Sequence, residues 1–138
     1  MIFEKARPVW AADMGNEKNC ELSFRVCMEE AGGAELRVAT SGEYQLVVNV
    51  RFAAFGPAKT ARGFFKVDVL DLTPYLTEAR NVVVLNVLCA RINSFSLQDQ
   101  PSFAAAEISA EGKCLFWTDE NGTFPAWLRG CRIQRVQR

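Results

Sequence analysis

Sixteen acidic side chains and no histidine frame the chemistry open to this 138-residue chain. Without imidazole the commonest general base is gone, and with it the Ser/His and Cys/His nucleophile pairs. Carboxylates can still cleave glycosidic bonds, as an acid and a base or nucleophile held roughly 5–9.5 Å apart across a cleft. Among sixteen carboxylates some pair is always available, so a pair in the sequence is no signal. Those in strand-like sequence, Glu35, Asp68 and Glu107, read as solvated face positions or structural ion pairs.

Other candidate chemistry is thinner. "DENG", Asp119 to Gly122, has the opening of a calcium loop but no later bidentate glutamate, since Phe124, Pro125 and Trp127 follow. It reads as a polar surface turn. "GGAE" lacks the spacing and the following helix of a phosphate loop. Trp10, Trp117 and Trp127 have the aromatic planes that sugar C–H faces stack on, and equally the area that a sandwich core or domain contact buries. Lys59, Arg62 and Arg51 are able to bind a hydroxylated ligand, although a loop facing water accounts for them as well. The candidate ligand contacts are therefore Trp117, Trp127, Arg62 and Lys59. No catalytic residue, metal ligand or cofactor is assigned.

Composition bounds the class. A length of 138 residues, 49% hydrophobic and 23% charged, suits one globular domain spanning 1–138 with a proper core. Sixteen basic side chains balance the acidic ones, which argues against nucleic acid or an anionic membrane as partner. No apolar run approaches the roughly 20 residues of a membrane helix. The start, "MIFEKARPVW", lacks a secretory pattern, so the cytoplasm is expected for the chain as it stands, and a periplasmic or secreted site if a leader was trimmed. The five cysteines, Cys20, Cys27, Cys89, Cys114 and Cys131, show no C-x-x-C spacing. They read as buried or half-buried thiols in a reducing compartment, with one disulfide plus spare thiols as the alternative.

The elements that would position these residues are nearly all strands. "LSFRVCM" sets Leu22, Phe24, Val26 and Met28 on one face, and "AELRVAT" sets Ala34, Leu36 and Val38 on another. "EYQLVV" alternates with Tyr44, Leu46 and Val48 inward. "FFKVDVL" repeats the alternation with Phe65, Val67 and Val69. "NVVVLNVLCARI" is almost continuously apolar and predicts a central strand covered on both faces. Glu111-Gly112 is a hairpin turn between "FAAAEIS" and "KCLFWT", and "AWLRGCRIQRV" supplies a last strand. In "DLTPYLTEA", Thr73 is placed to cap a short helical turn with Pro74 at its first position, ending near Ala79. About eight strands and one helical turn predict an all-β, two-sheet antiparallel sandwich of jelly-roll, galactose-binding-domain-like form. Its expected core holds Phe24, Leu36, Tyr44, Leu46, Val48, Val67 and residues 83–87.

These pieces together resemble the amino-terminal β-sandwich domain of bacterial α-L-rhamnosidases, itself similar to jelly-roll domains of β-galactosidase-like enzymes. Trp10 with the following "AAD", Asn19 to Arg25, and "AELRVATSGEYQLVVN" carry the resemblance. "GPAK" from Gly56, "VDVLDLTPYLTEARNVVVLNV" from Val67, and "EGKCLFWTDENGTFPAW" follow in order. The resemblance implies a non-catalytic module, with acid and base on a separate helical barrel that has no counterpart in these residues. Its implied partners are neighbouring domains of a parent enzyme and rhamnose-containing glycans. A free-standing carbohydrate-binding sandwich and a purely structural interaction protein are the other two classes. Exposure of Trp117 and Trp127 bears on the first, and a broad apolar patch on the second.

Two positions depart from the resembled pattern. Val50 stands where glycine usually follows the asparagine, and Ala79-Arg80 precede Asn81 where a glycine is usual. A β-branched residue resists positive φ. The expectation is that the strand runs on through Arg51 or Phe52 instead of turning at Asn49.

Overall fold

The structure, a computed structural model, describes residues 2–29, 32–93 and 99–131. Strands β1 (Cys20–Met28), β2 (Glu35–Thr40), β3 (Glu43–Val48) and β4 (Arg51–Gly56) come first. After them come β5 (Asp68–Asp71), a 3-10 turn (Thr73–Tyr75), β6 (Asn81–Cys89), β7 (Ala104–Ala110), β8 (Lys113–Trp117) and β9 (Ala126–Cys131). They form a five-stranded sheet ordered β4-β3-β6-β1-β9 and a four-stranded sheet ordered β5-β2-β7-β8. Every pairing is antiparallel. The expected all-β, two-sheet sandwich is the fold.

Period-two alternation builds the core. Leu22, Phe24, Val26 and Met28 of β1 are buried, as are Leu36 and Val38 of β2 and Tyr44, Leu46 and Val48 of β3. Val83, Leu85 and Val87 of β6 stand between those of β1 and β3 on the same sheet, while Ala104, Ala106 and Ile108 of β7 join Leu36 and Val38 on the facing sheet. Small alanines on β7 let the two sheets close over the bulky residues of β1, β3 and β6. Phe24 meets Phe124 edge to face, with ring centroids 5.7 Å apart.

Five expectations are corrected. Asn49 and Val50 make a two-residue hairpin turn, with φ of 51° and 65° and Val48 paired to Arg51. Tertiary hydrogen bonds to Asn49 override the steric reluctance of valine. Val67 lies before β5 and outside the buried core, and Val69 is 55% exposed, because Leu70 is the inward residue of that strand. The short turn ends at Tyr75, and Thr73 is inside it, not its cap. Asp71 Oδ1 accepts the Thr73 N–H at 3.0 Å, taking the role expected of the Thr73 hydroxyl. Strand β6 is central, but only its Val83, Leu85 and Val87 face is buried; Val82, Val84 and Leu88 are half-covered. Cys20 is disulfide-bonded, whereas Cys27, Cys89 and Cys114 are free. A disulfide closed by folding leaves no local spacing signal of the C-x-x-C kind.

Candidate functional site: two outer faces and a flank groove

The two sheets treat their outer faces differently. On the four-stranded sheet, Arg37, Glu107 and Trp117 stand side by side in one cross-strand row. The amino-terminal segment lies over this row. Glu107 accepts the backbone N–H groups of Glu4, Lys5 and Ala6 at 2.8, 2.9 and 3.0 Å. The Arg37 guanidinium donates to the Ile2 carbonyl, and Lys5 Nζ sits 4.3 Å from the centre of the Trp117 ring. Each member of the row therefore holds one part of residues 2–6, which form a strap.

Glu107 is 1% exposed and is a structural carboxylate held by backbone N–H groups, which corrects its reading as a solvated face position or a structural ion pair. Burial alone pushes its pKa up, but the three N–H donors and nearby Arg37 outweigh that and hold it below the ordinary carboxylate value. A carboxyl kept ionised beneath a strap cannot serve as a proton donor. Cys114 Sγ lies 3.9 Å from Glu107, and burial plus this negative charge raise its pKa. Burial likewise raises Cys89. Neither thiol is activated as a nucleophile. Glu35 pairs with Arg37 at 2.8 Å, and Asp68 with Lys66 at 3.2 Å, so these two carboxylates stand in ion pairs.

The outer face of the five-stranded sheet carries no strap among the described residues. Its register sets Phe55, Gln45, Asn86, Ser23 and Trp127 in one row from edge to edge. Phe52, Val47, Val84 and Arg25 form the next. A bulge in β4 at Ala53 turns Phe52 and Phe55 to the same side, although they are three residues apart. The sequence alternation does not reveal that bulge. Phe52, Phe55 and Trp127 are 60%, 65% and 54% exposed.

The four candidate contacts do not converge. Trp117 is half-buried under Lys5, whereas Trp127 is exposed on the edge strand β9. Lys59 and Arg62 are exposed in residues 57–67, which join β4 to β5 at the edge of the sandwich away from β8 and β9. Asp119 to Gly122 is a turn closed by the Gly122 N–H on the Asp119 carbonyl at 3.1 Å. Beside it a groove of about 340 Å³ runs between Trp10 and Leu128, floored by Leu22, Phe24 and Phe124 and rimmed by Asp119 and Glu120. The Trp10 indole N–H is buried without a hydrogen-bond partner among the described residues. Sequence reasoning missed this groove and the strap, because both depend on which distant segments the sheets bring together.

No protein-family model matches the chain, and no curated protein matches it. Solved structures do. A GH78-family rhamnosidase of Bacillus sp. GL1 is similar at 22% identity and a TM-score of 0.76, over 93% of this chain and 14% of that one. An α-L-rhamnosidase from Dictyoglumus thermophilum is similar at 14% identity and a TM-score of 0.54, over 93% of this chain and 16% of that one. An α-L-rhamnosidase from Aspergillus terreus is similar at 14% identity and a TM-score of 0.51, over 88% and 16%. The chain resembles one domain of these enzymes and spans about one-seventh of their length.

Proposed function

We propose that residues 1–138 form a single non-catalytic accessory domain of an α-L-rhamnosidase-type glycoside hydrolase. It packs on neighbouring domains and helps to frame the carbohydrate cleft. One observation carries the reading: three structural neighbours each match nearly the whole chain with about one-seventh of their own. The site geometry is in keeping with it. Glu107 is held ionised by three backbone N–H groups, and Glu35 and Asp68 stand in ion pairs, so these three carboxylates have structural partners.

The test is an assay of the purified chain on aryl rhamnoside and aryl galactoside. No turnover above background is expected. Turnover abolished by changing one Asp or Glu would overthrow the reading. A second reading, a carbohydrate-binding sandwich for rhamnose-containing glycans, is favoured by one feature, the 54% exposure of Trp127. It predicts quenching of tryptophan fluorescence by rhamnose oligosaccharides, lost in Trp127→Ala.

A further inference from the structure

One outer face of this sandwich carries the chain's own strap, and the other carries no covering segment among the described residues. Cross-strand rows on the four-stranded sheet end in contacts to residues 2–6. On the five-stranded sheet, no hydrogen bond or ion pair among the described residues joins the equivalent rows to a covering segment. Yet the bare face has the composition of a covered one. Central strand β6 turns Val82, Val84 and Leu88 outward, where a solvated face would alternate to polar side chains. Asn86 Oδ1 on the same strand is buried and has no donor among the described residues. Two phenylalanines and a tryptophan, each more than half exposed, stand at its two edges.

We infer that this face, centred on Val84 and Asn86 and flanked by Phe52, Phe55 and Trp127, is the seat of an adjoining folded domain. The inference rests on the accessory-domain reading above. The occupant is a protein surface that is apolar at its centre and sets a carboxylate against the exposed Arg25. Size fits. Five strands about 4.8 Å apart, with six to nine residues rising about 3.3 Å each, make a plate of roughly 500 Å² before side-chain relief. One side of a standard interface buries about 800 Å². Aromatics and arginine around an aliphatic centre are also the residues such interfaces concentrate. A glycan fits less well, because three of the four side chains in the row of Phe52, Val47, Val84 and Arg25 have no group to bond a hydroxyl. The neighbours in which this fold is about one-seventh of the chain are the circumstance in which such a face meets a domain.

Cys27 is the reporter, a free and exposed thiol on this face opposite Val82. Its alkylation by N-ethylmaleimide is timed by peptide mass spectrometry in the 138-residue chain and in the whole product of its gene. Labelling slower by on the order of tenfold in the whole product is expected. The double variant Phe52→Ser, Phe55→Ser should bring the rate back to within about twofold of the isolated chain, while the melting of the isolated chain is unchanged. Equal rates in both proteins, or protection that survives the double variant, would overturn the face. Protection already present in the isolated chain and dependent on its concentration would assign the face to a second copy. Protection by added rhamnose oligosaccharide would assign it to a glycan. A gene that encodes no adjoining domain would overturn the accessory reading and this inference together, whereas an adjoining domain that leaves Cys27 open overturns only the face.

Discussion

Asn49 Nδ2 donates to Asn81 Oδ1 at 2.8 Å, joining the β3–β4 turn to the start of β6 by their side chains. The same Nδ2 reaches the Tyr75 carbonyl at 3.1 Å, and Asn49 Oδ1 accepts the Val82 N–H at 2.9 Å. Asn81, fully buried, also binds the Thr77 N–H and the Thr77 and Ala79 carbonyls. Asparagine tolerates the left-handed conformation that Asn49 adopts, and these bonds then fix the turn. Val50 has to follow into positive φ, 97% exposed and with no packing to compensate.

The first prediction comes from that strain. A β-branched residue in the left-handed region costs about 1–3 kcal/mol, and glycine removes this at an entropic cost of roughly 0.5–1 kcal/mol. Val50→Gly should therefore stabilise the fold by about 1 kcal/mol. Urea melts that show a lower midpoint would contradict the turn geometry.

The asparagine pair gives the second. Asn81→Ala removes the acceptor of the Thr77 N–H and one of the two acceptors of the Asn49 amide in a part-buried setting, for a total loss of about 1–3 kcal/mol. A double-mutant cycle with Asn49→Ala should return a coupling of about 0.5–3 kcal/mol, and additive effects would mean the two residues act independently.

What the sequence shows of this fold is what alternation can encode. Strands β1, β2, β3 and β6 and their inward residues were legible, because one buried face leaves a period-two pattern. The 111–112 turn was legible from Glu111-Gly112. The 49–50 turn was not, because the bonds that hold it come from Tyr75, Asn81 and Val82, roughly 25–33 positions away. The direction of β5 was not either: Phe65, Val67 and Val69 alternate convincingly, but Tyr44 bonds Asp68 at 2.5 Å and thereby turns Leu70 inward. Of the ligand candidates, the exposure of Trp127 and the capture of Trp117 by Lys5 depended on edge position and on the strap. Neither leaves a mark in local sequence.

Core packing is tested at Leu46, 1% exposed between Leu85 and Ala54 in the strand register. Leu46→Ala should cost about 2–5 kcal/mol as a buried large-to-small change. A loss below about 0.5 kcal/mol in the denaturant midpoint would be the signature of a surface residue and would place the core on the wrong face.

Tyr44 sets the alkaline limit. Burial first, then the hydrogen bond to Asp68 and its charge, raise the phenol pKa above its ordinary value of 10.0. The folded state therefore holds this proton more tightly than the unfolded state does. Its contribution is complete below about pH 10 and is lost as pH climbs beyond that toward the raised folded value. Tyr44→Phe should flatten the decline in stability above pH 10. An unchanged alkaline limb in the variant would mean the phenol is not shielded.

Glu107 sets the acid limit with the opposite sign. Burial works against its ionised form, but the N–H groups of Glu4, Lys5 and Ala6 prevail, so its folded pKa lies below the ordinary 4.5. The unfolded chain binds this proton more readily, and stability is complete above about pH 4.5 and drains as pH falls through the folded value. Protonation also removes the charge that three backbone dipoles point at, so the strap should loosen before the sheets part. Glu107→Gln keeps the shape and one acceptor oxygen but discards the charge. It should lower stability at pH 7 by about 1.5–3 kcal/mol, the scale of a hydrogen bond to a charged group, and flatten the acid limb. Amide exchange at Lys5 and Ala6 should accelerate in the variant at neutral pH, while exchange in β6 changes only as much as global stability does. Strap amides that stay protected, or an acid limb identical to that of the unaltered chain, would show that the carboxylate is not what holds residues 2–6 to the sheet.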